Sequence, residues 1–150
     1  MDYPQLCNQL SALIQDVPYP IANLANAAAL LWQQLPDINW AGFYLLQEDA
    51  LILGPFQGKP ACIRIPIGKG VCGTAAATQQ TQLVPDVHAF AGHIACDGAS
   101  NSEIVVPLYK NGAFFGVLDI DSPLFNRFSQ EDLQGLEEFA NILGKALSAY

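Results

Sequence analysis

The chain has 150 residues, of which 51% are hydrophobic and 13% are charged, so it can bury a core within one domain. Its net charge is −8 and its six Lys and Arg residues are scattered. This distribution excludes the basic face that nucleic acid requires and disfavours an anionic membrane surface. No apolar run approaches the ~18 residues of a membrane span, and the N-terminus is unlike a secretory signal. We therefore expect a soluble, cytoplasmic protein.

The first two predicted elements are helices. Leucines recur at helical spacing over residues 6–14, until Asp16-Val17-Pro18 interrupts the pattern. A second helix is predicted to begin near Pro20, since proline suits a first helical turn. It continues through an alanine-rich stretch and ends at Pro36-Asp37.

The pattern then changes to the period of two that is typical of strands. A turn is predicted at Glu48-Asp49, between the first two strands. The elements predicted in this part are strands over residues 39–46, 50–56 and 62–65, a glycine-rich turn over 68–73, a short helix over 74–79, and a short strand over 83–86.

The last third of the chain predicts a long loop, a hairpin and a helix. Residues 87–101 show no sustained period, and loops of that length are usually functional. Strands over 103–109 and 113–120 meet at Asn111-Gly112, a strong hairpin signal, and Ser129 is placed to cap the closing helix. The predicted fold class is α+β, with helices packed on one face of an antiparallel sheet and a ligand pocket under the loop on the other. We expect a single domain over residues 1–150.

Cysteines are the first candidates for chemistry. Cys62, Cys72 and Cys96 lie in or near predicted turns and loops, whereas Cys7 lies on the leucine-spaced helix. Their intervals lack the Cys-x-x-Cys spacing of a structural zinc site, although His88 and His93 could add nitrogens beside Cys96. Cys72 precedes a predicted helix, whose dipole is expected to give it thiolate character. Buried core thiols, a metal site and redox exchange all remain open.

A group of carboxylates is the second candidate. Asp119 and Asp121 lie two apart on a predicted strand, so their side chains share one face of the sheet. Counting back from the Asn111-Gly112 turn places Glu103 beside them. Repulsion among three such groups is expected to raise at least one pKa, which would let that group donate a proton at neutral pH. The alternative is an exposed acidic strand end.

Two aromatic residues form the third candidate. Trp40 and Tyr44 lie four apart on the first strand and therefore face the same way. Aromatic rings suit a thioether or a sulfonium-like centre through sulfur–aromatic and cation–π contacts. Core packing is the alternative.

These residues together resemble the free methionine-(R)-sulfoxide reductases, a family of GAF-domain enzymes. The similarity runs through nearly the whole chain. The stretches that carry it are Asn39-Trp40-Ala41-Gly42-Phe43-Tyr44, Gly54-Pro55-Phe56-Gln57-Gly58, Pro60-Ala61-Cys62-Ile63-Arg64-Ile65, Gly68-Lys69-Gly70-Val71-Cys72-Gly73-Thr74-Ala75, Asp86-Val87-His88, His93-Ile94-Ala95-Cys96-Asp97, Ser102-Glu103-Ile104-Val105-Val106-Pro107 and Gly116-Val117-Leu118-Asp119-Ile120-Asp121-Ser122-Pro123.

The resemblance implies a role for each cysteine. Cys96 corresponds to the thiol that attacks the sulfoxide sulfur and becomes a sulfenic acid. Cys62 corresponds to the resolving thiol that forms a disulfide with Cys96, and Cys72 to an auxiliary thiol that could resolve or relay. Thioredoxin would then reduce the disulfide, with no metal and no other cofactor. Cys7 lies outside the informative stretches.

The resemblance also implies the substrate site. Glu103, Asp119 and Asp121 correspond to acidic residues that bind free methionine sulfoxide and help to protonate its oxygen, and Trp40 and Tyr44 correspond to aromatic lining. A homodimer is possible by analogy with the family. Two other hypotheses remain: a non-catalytic GAF module that binds a small regulatory ligand, and a small zinc-binding domain.

Overall fold

The computed structural model describes residues 1–93 and 98–150. No helix among these residues is long and apolar enough to cross a membrane. The elements are α1 (Tyr3–Ile14), α2 (Pro20–Gln34), β1 (Trp40–Gln47), β2 (Ala50–Gly58), β3 (Arg64–Pro66), α3 (Gly70–Thr78), β4 (Gln82–Val84), a 3-10 turn (Val87–Ala89), β5 (Ser102–Lys110), β6 (Ala113–Ser122) and α4 (Gln130–Ser148).

The strands form one antiparallel sheet in the order β3-β2-β1-β6-β5-β4. Neighbours along the chain are joined by hairpins at β1–β2 and β5–β6, and the pairing of β1 with β6 joins the two hairpins at the centre. The predicted α+β class with an antiparallel sheet is confirmed.

Strand alternation divides the core between the two faces of the sheet. Ala41 and Phe43 of β1 pack with α1, α2 and α4 in the larger hydrophobic cluster, because side chains two apart share a face. Trp40 and Tyr44 belong to a second cluster on the opposite face, together with the apolar side chains of α3. Three helices therefore cover one face, as predicted, and the short α3 covers part of the other.

The hairpin turn and a register shift close to it fix the strand pairing at the site. Asn111 and Gly112 have φ angles of 53° and 77°, the left-handed conformation that a tight two-residue hairpin turn requires at both positions. A register shift lies between Leu108 and Tyr109, and beyond it the β5–β6 ladder runs without interruption from Leu108 back to Ser102, which pairs with Ser122. The pairing at the far end of the hairpin is therefore set by the turn and this irregularity together.

The closing helix begins as predicted. Ser129 is the N-cap of α4, and it forms a reciprocal capping box with Asp132. Asp132 also accepts a buried hydrogen bond of 2.5 Å from the hydroxyl of Tyr3. The start of α4 is thereby tied to α1 on the larger core face.

Of the predicted boundaries that were wrong, two concern the cysteines. The third strand begins at Arg64 rather than at Cys62, because Pro55 has no N–H group with which β2 could extend the ladder. The short helix begins at Gly70 rather than at Thr74, with Lys69 as its N-cap. Cys62 therefore lies in an extended segment before β3, and Cys72 lies inside the first turn of α3.

Candidate active site

A cavity lies on the face of the sheet that α3 covers. The first turn of α3 and one end of strands β1, β5 and β6 enclose it, and His93 and Ser100 border it from the predicted long loop. The residues that line it include all the predicted carboxylates and aromatic residues and one of the predicted cysteines: Trp40, Tyr44, Cys72, Glu103, Asp119 and Asp121.

The register of the β5–β6 hairpin brings the three carboxylates together. Glu103 pairs directly with Asp121, and Val105 pairs with Asp119. All three acidic side chains point into the cavity, where Glu103 is 7% exposed and Asp119 is 5% exposed. The alternative of an exposed acidic strand end does not apply to Glu103 and Asp119.

Burial and mutual repulsion determine which carboxyl group holds a proton. Burial first, and then the carboxylates of Asp119 and Asp121, raise the pKa of Glu103 well above its ordinary value of 4.5. Burial also raises the pKa of Asp119, although hydrogen bonds from Glu103 and Cys72 oppose the rise. At neutral pH this arrangement favours a protonated Glu103 that donates to an ionised Asp119.

Stacked aromatic rings form part of the cavity lining. The rings of Trp40 and Tyr44 stack with centroids 5.8 Å apart, and Phe56 stacks on Trp40 at 5.1 Å. Trp40 Nε1 donates to the carbonyl oxygen of Lys59 at 3.1 Å. The Tyr44 hydroxyl donates to the carbonyl oxygen of Cys62 at 2.8 Å. These hydrogen bonds fix the rings and connect them to the segment between β2 and β3.

Cys72 lies within the acidic group, and its predicted thiolate character was wrong. It is only 5% exposed, and its pKa is raised well above 9.0, first by burial and then by Asp119, Glu103 and Asp121. A position in the first turn of a helix does lower a thiol pKa. Here burial beside carboxyl groups outweighs the helix, and the thiol is neutral.

Of the other three cysteines, the structure describes Cys62 and Cys7. Cys62 is half-buried beside the second hydrophobic cluster and is disulfide-bonded. Cys7 is a buried free thiol in the larger core cluster, on the opposite face of the sheet. Burial and then Glu138 raise its pKa, which is consistent with an inert core thiol. Cys96, the predicted nucleophile, lies outside the described residues.

Comparison with known proteins gives the family. The GAF domain family model matches residues 10–147. A relative from Escherichia coli, named free methionine-R-sulfoxide reductase, is 57% identical over 146 residues, which cover 97% of this chain and 88% of the relative. This chain belongs to the free methionine-R-sulfoxide reductase family of GAF-domain proteins.

Solved structures of this reductase family have the same fold. The fRMsr of Staphylococcus aureus in its reduced form superposes with a TM-score of 0.95 at 55% identity, covering 97% of this chain and 95% of that one. The free methionine-R-sulfoxide reductase of Neisseria meningitidis, in complex with its substrate, gives a TM-score of 0.94 at 46% identity, covering 98% and 89%.

Sequence reasoning missed several residues of the site in this member of the reductase family. Lys69 lines the cavity, and its place in a Gly-Lys-Gly turn before a helix was the available signal. Ser100 is buried and accepts a hydrogen bond of 3.0 Å from Asn39 Nδ2. His93 was considered only as a metal ligand, yet it also lines the cavity, where burial and then His88 lower its pKa.

The described residues contain one group of side chains that could reach a single metal ion. Cys72 Sγ and one carboxylate oxygen each of Glu103 and Asp119 lie within 4.8 Å of one another. Metal ions bind deprotonated ligands, whereas burial and the neighbouring carboxyl groups raise the pKa of both the Cys72 thiol and Glu103 well above their ordinary values. The group fits a proton-holding role better than a resident metal, and the prediction that none is used stays a prediction.

Proposed function

We propose that this chain reduces free L-methionine-(R)-sulfoxide to methionine with cysteine thiols. The observation that carries the proposal is the buried Glu103–Asp119 pair in a cavity lined by Trp40 and Tyr44, where burial raises the pKa of both carboxyl groups. The 57% identical Escherichia coli relative supplies the name of the substrate. A buried acid beside aromatic rings suits a small polar sulfur compound.

Substrate binding uses the two chemically different sides of the cavity. The stacked rings of Trp40 and Tyr44 offer an apolar surface for the methyl and thioether part of the substrate. The carboxylates of Asp119 and Asp121 supply the negative charge that an α-ammonium group requires. A free amino acid carries that ammonium group, whereas a methionine within a peptide does not, which favours the free substrate.

The first chemical step needs a nucleophile and an acid. By resemblance to the family, the Cys96 thiolate attacks the sulfoxide sulfur and forms an S–S bond to it. The sulfoxide oxygen is a poor leaving group until it is protonated, and the buried Glu103, whose pKa is raised well above its ordinary value, is suited to supply that proton. The protonated oxygen is then transferred from the substrate sulfur to the Cys96 sulfur as the new S–S bond breaks, which releases methionine and leaves Cys96 as a sulfenic acid.

The second step forms a disulfide. The Cys62 thiol attacks the sulfenic sulfur of Cys96, which releases one water and forms an S–S bond. The disulfide-bonded state of Cys62 and its backbone link to Tyr44 support this residue as the resolving thiol. Thioredoxin then returns both cysteines to thiols by exchange, and no metal or organic cofactor takes part.

A coupled assay tests the proposal. The purified protein is supplied with thioredoxin, thioredoxin reductase and NADPH, and each epimer of free L-methionine sulfoxide is added separately. We expect NADPH consumption with the R epimer, little with the S epimer, and little with an N-acetylated, C-amidated R substrate. Ligand binding without turnover would favour the regulatory GAF module, and zinc retained in stoichiometric amount would favour the zinc-binding domain.

A further inference from the structure

The thiol of Cys72 forms a compact group with two carboxyl groups of the cavity. Its Sγ and one oxygen each of Glu103 and Asp119 lie within 4.8 Å of one another, and all three side chains are buried. Three neighbouring side chains, the Cys72 thiol, Glu103 and Asp121, can donate hydrogen bonds to Asp119, and they oppose the rise that burial causes in its pKa. Cys72 is the only one of the three that is not a carboxyl group competing for the same proton, so as a neutral thiol it stabilises the ionised form of Asp119.

We propose that Cys72 is a positioning residue that remains a thiol throughout the reaction and holds Asp119 ionised, so that the available proton resides on Glu103. This role differs from that of a resolving or relaying cysteine. The effect of this positioning role on turnover rests on the proposed function. The effect of Cys72 on the protonation of Glu103 and Asp119 does not, because it is a property of the resting protein.

The surroundings of Cys72 oppose redox exchange. Exchange requires a thiolate that can reach a disulfide, and Cys72 is buried in the second hydrophobic cluster. Ionising it would add a negative charge to a group of three carboxyl residues. Lys69 would favour the thiolate, but its side chain is exposed and its charge is screened by solvent.

The titratable groups around the cavity are Tyr44 from β1, Lys69 at the start of α3, His93 from the loop, Glu103 from β5, and Asp119 and Asp121 from β6.

Removing the thiol is expected to change where the proton resides. Without the hydrogen bond from Cys72, the ionised form of Asp119 is less stable and its pKa rises. Asp119 then competes with Glu103 for the proton. The population of the state in which Glu103 is protonated and Asp119 is ionised therefore falls. Because a thiol is a weak donor, we expect a rise of about 0.5–1 pH unit in the Asp119 titration.

Carboxyl-carbon NMR titration of the resting, reduced protein tests the proton arrangement directly. Cys72→Ala should raise the midpoint of the Asp119 titration, whereas Cys72→Ser, whose hydroxyl can still donate, should restore most of the wild-type midpoint. Cys7→Ala is the matched control, since this buried thiol lies in the other core cluster and should leave the titration unchanged. An unchanged Asp119 midpoint in Cys72→Ala, or a serine variant that behaves like alanine, would overturn the proposal.

Turnover separates positioning from redox participation. The acidic limb of the pH profile of kcat/KM should move toward neutral pH in Cys72→Ala and move back in Cys72→Ser. After one turnover without reductant, Cys72 in the wild type should still react with an alkylating agent once the protein is denatured. A disulfide that includes Cys72 would overturn the proposal. A wild-type protein that shows no turnover would instead reject the proposed function, and the NMR result would still decide the proton arrangement.

Discussion

The hydroxyl of Tyr44 donates a hydrogen bond of 2.8 Å to the carbonyl oxygen of Cys62. Tyr44 is a buried wall residue of the cavity, and Cys62 lies in the segment between β2 and β3. One contact thus connects the substrate side of the site with the proposed resolving cysteine. It suggests that the placement of Cys62 depends on a residue that sequence reasoning assigned only to substrate contact.

Tyr44→Phe should slow disulfide formation more than it slows methionine release. The variant keeps the ring that stacks on Trp40 but loses a hydrogen bond that contributes about 0.5–1.5 kcal/mol, so the Cys62 segment is held less firmly. Rapid-quench measurements would follow methionine release and thiol loss in the same reaction. Tyr109→Phe is the control, since the Tyr109 hydroxyl donates to Gln79 outside the cavity. Equal slowing of both steps would contradict this role for Tyr44.

A single-turnover experiment should distinguish the roles of the two proposed redox cysteines, Cys96 and Cys62. Cys96→Ser should abolish methionine release, because no thiol attacks the sulfoxide. Cys62→Ser should release close to one methionine per protein and then stop, because the sulfenic acid has no thiol to condense with. Quantifying methionine without reductant distinguishes the two. Complete loss in both variants would mean that the nucleophile and the resolving thiol are wrongly assigned.

Glu103→Gln should lower the rate and yet stabilise the protein at high pH. The pKa of Glu103 is raised in the folded state, so its contribution to stability is full below its ordinary value of 4.5 and is lost as pH rises through the folded pKa. Glutamine cannot ionise and avoids that loss, but it also cannot donate the proton that the sulfoxide oxygen needs.

Thermal unfolding of wild type and Glu103→Gln between pH 5 and pH 9, about the range where most folded proteins are stable, would measure the effect. The stability advantage of the variant should grow with pH, while its kcat falls by about 10²-fold or more, the usual contribution of a general acid. Glu137→Gln, an exposed change on α4, is the control and should alter neither quantity. A rate equal to that of the wild type would remove Glu103 from the proton-donor role.

Asp132→Asn should destabilise the protein most at neutral pH. Burial raises the pKa of Asp132, but hydrogen bonds from the Ser129 backbone and the Tyr3 hydroxyl outweigh burial and leave the pKa below its ordinary value of 3.8. The stabilisation by the ionised group is therefore present above pH 3.8 and is lost as pH falls through the lower folded value.

Urea unfolding at pH 7 should show a loss of about 1–3 kcal/mol for Asp132→Asn, the range for a buried hydrogen-bonded charge and a helix cap. The difference from wild type should shrink below about pH 4, where the unfolded carboxyl group becomes protonated. Asp49→Asn, in an exposed ion pair with Arg64, should change stability little. A loss for Asp132→Asn that does not vary with pH would show that geometry, and not charge, is what this residue supplies.

Local patterns in the sequence predicted most of the fold. The Asn111-Gly112 turn and the period-two strands sufficed to place Glu103 close to Asp119 and Asp121 and to place Trp40 and Tyr44 on one face, because turn geometry and strand alternation are short-range properties. Ser129 likewise marked the start of α4. The direct pairing of Glu103 with Asp121 could not be predicted in this way, because it depends on a register shift between Leu108 and Tyr109.

Tertiary structure decided the chemistry of the acidic group. The sequence placed Cys72 near a helix start and so predicted a reactive thiolate, but it could not show that β5 and β6 bring Glu103 and Asp119 against that thiol. Burial and charge from strands distant along the chain then keep the thiol neutral. The carboxyl and aromatic residues of the site followed from local spacing, whereas the protonation states of the acidic group depend on long-range packing, because a pKa responds to every charge and solvent boundary around the group.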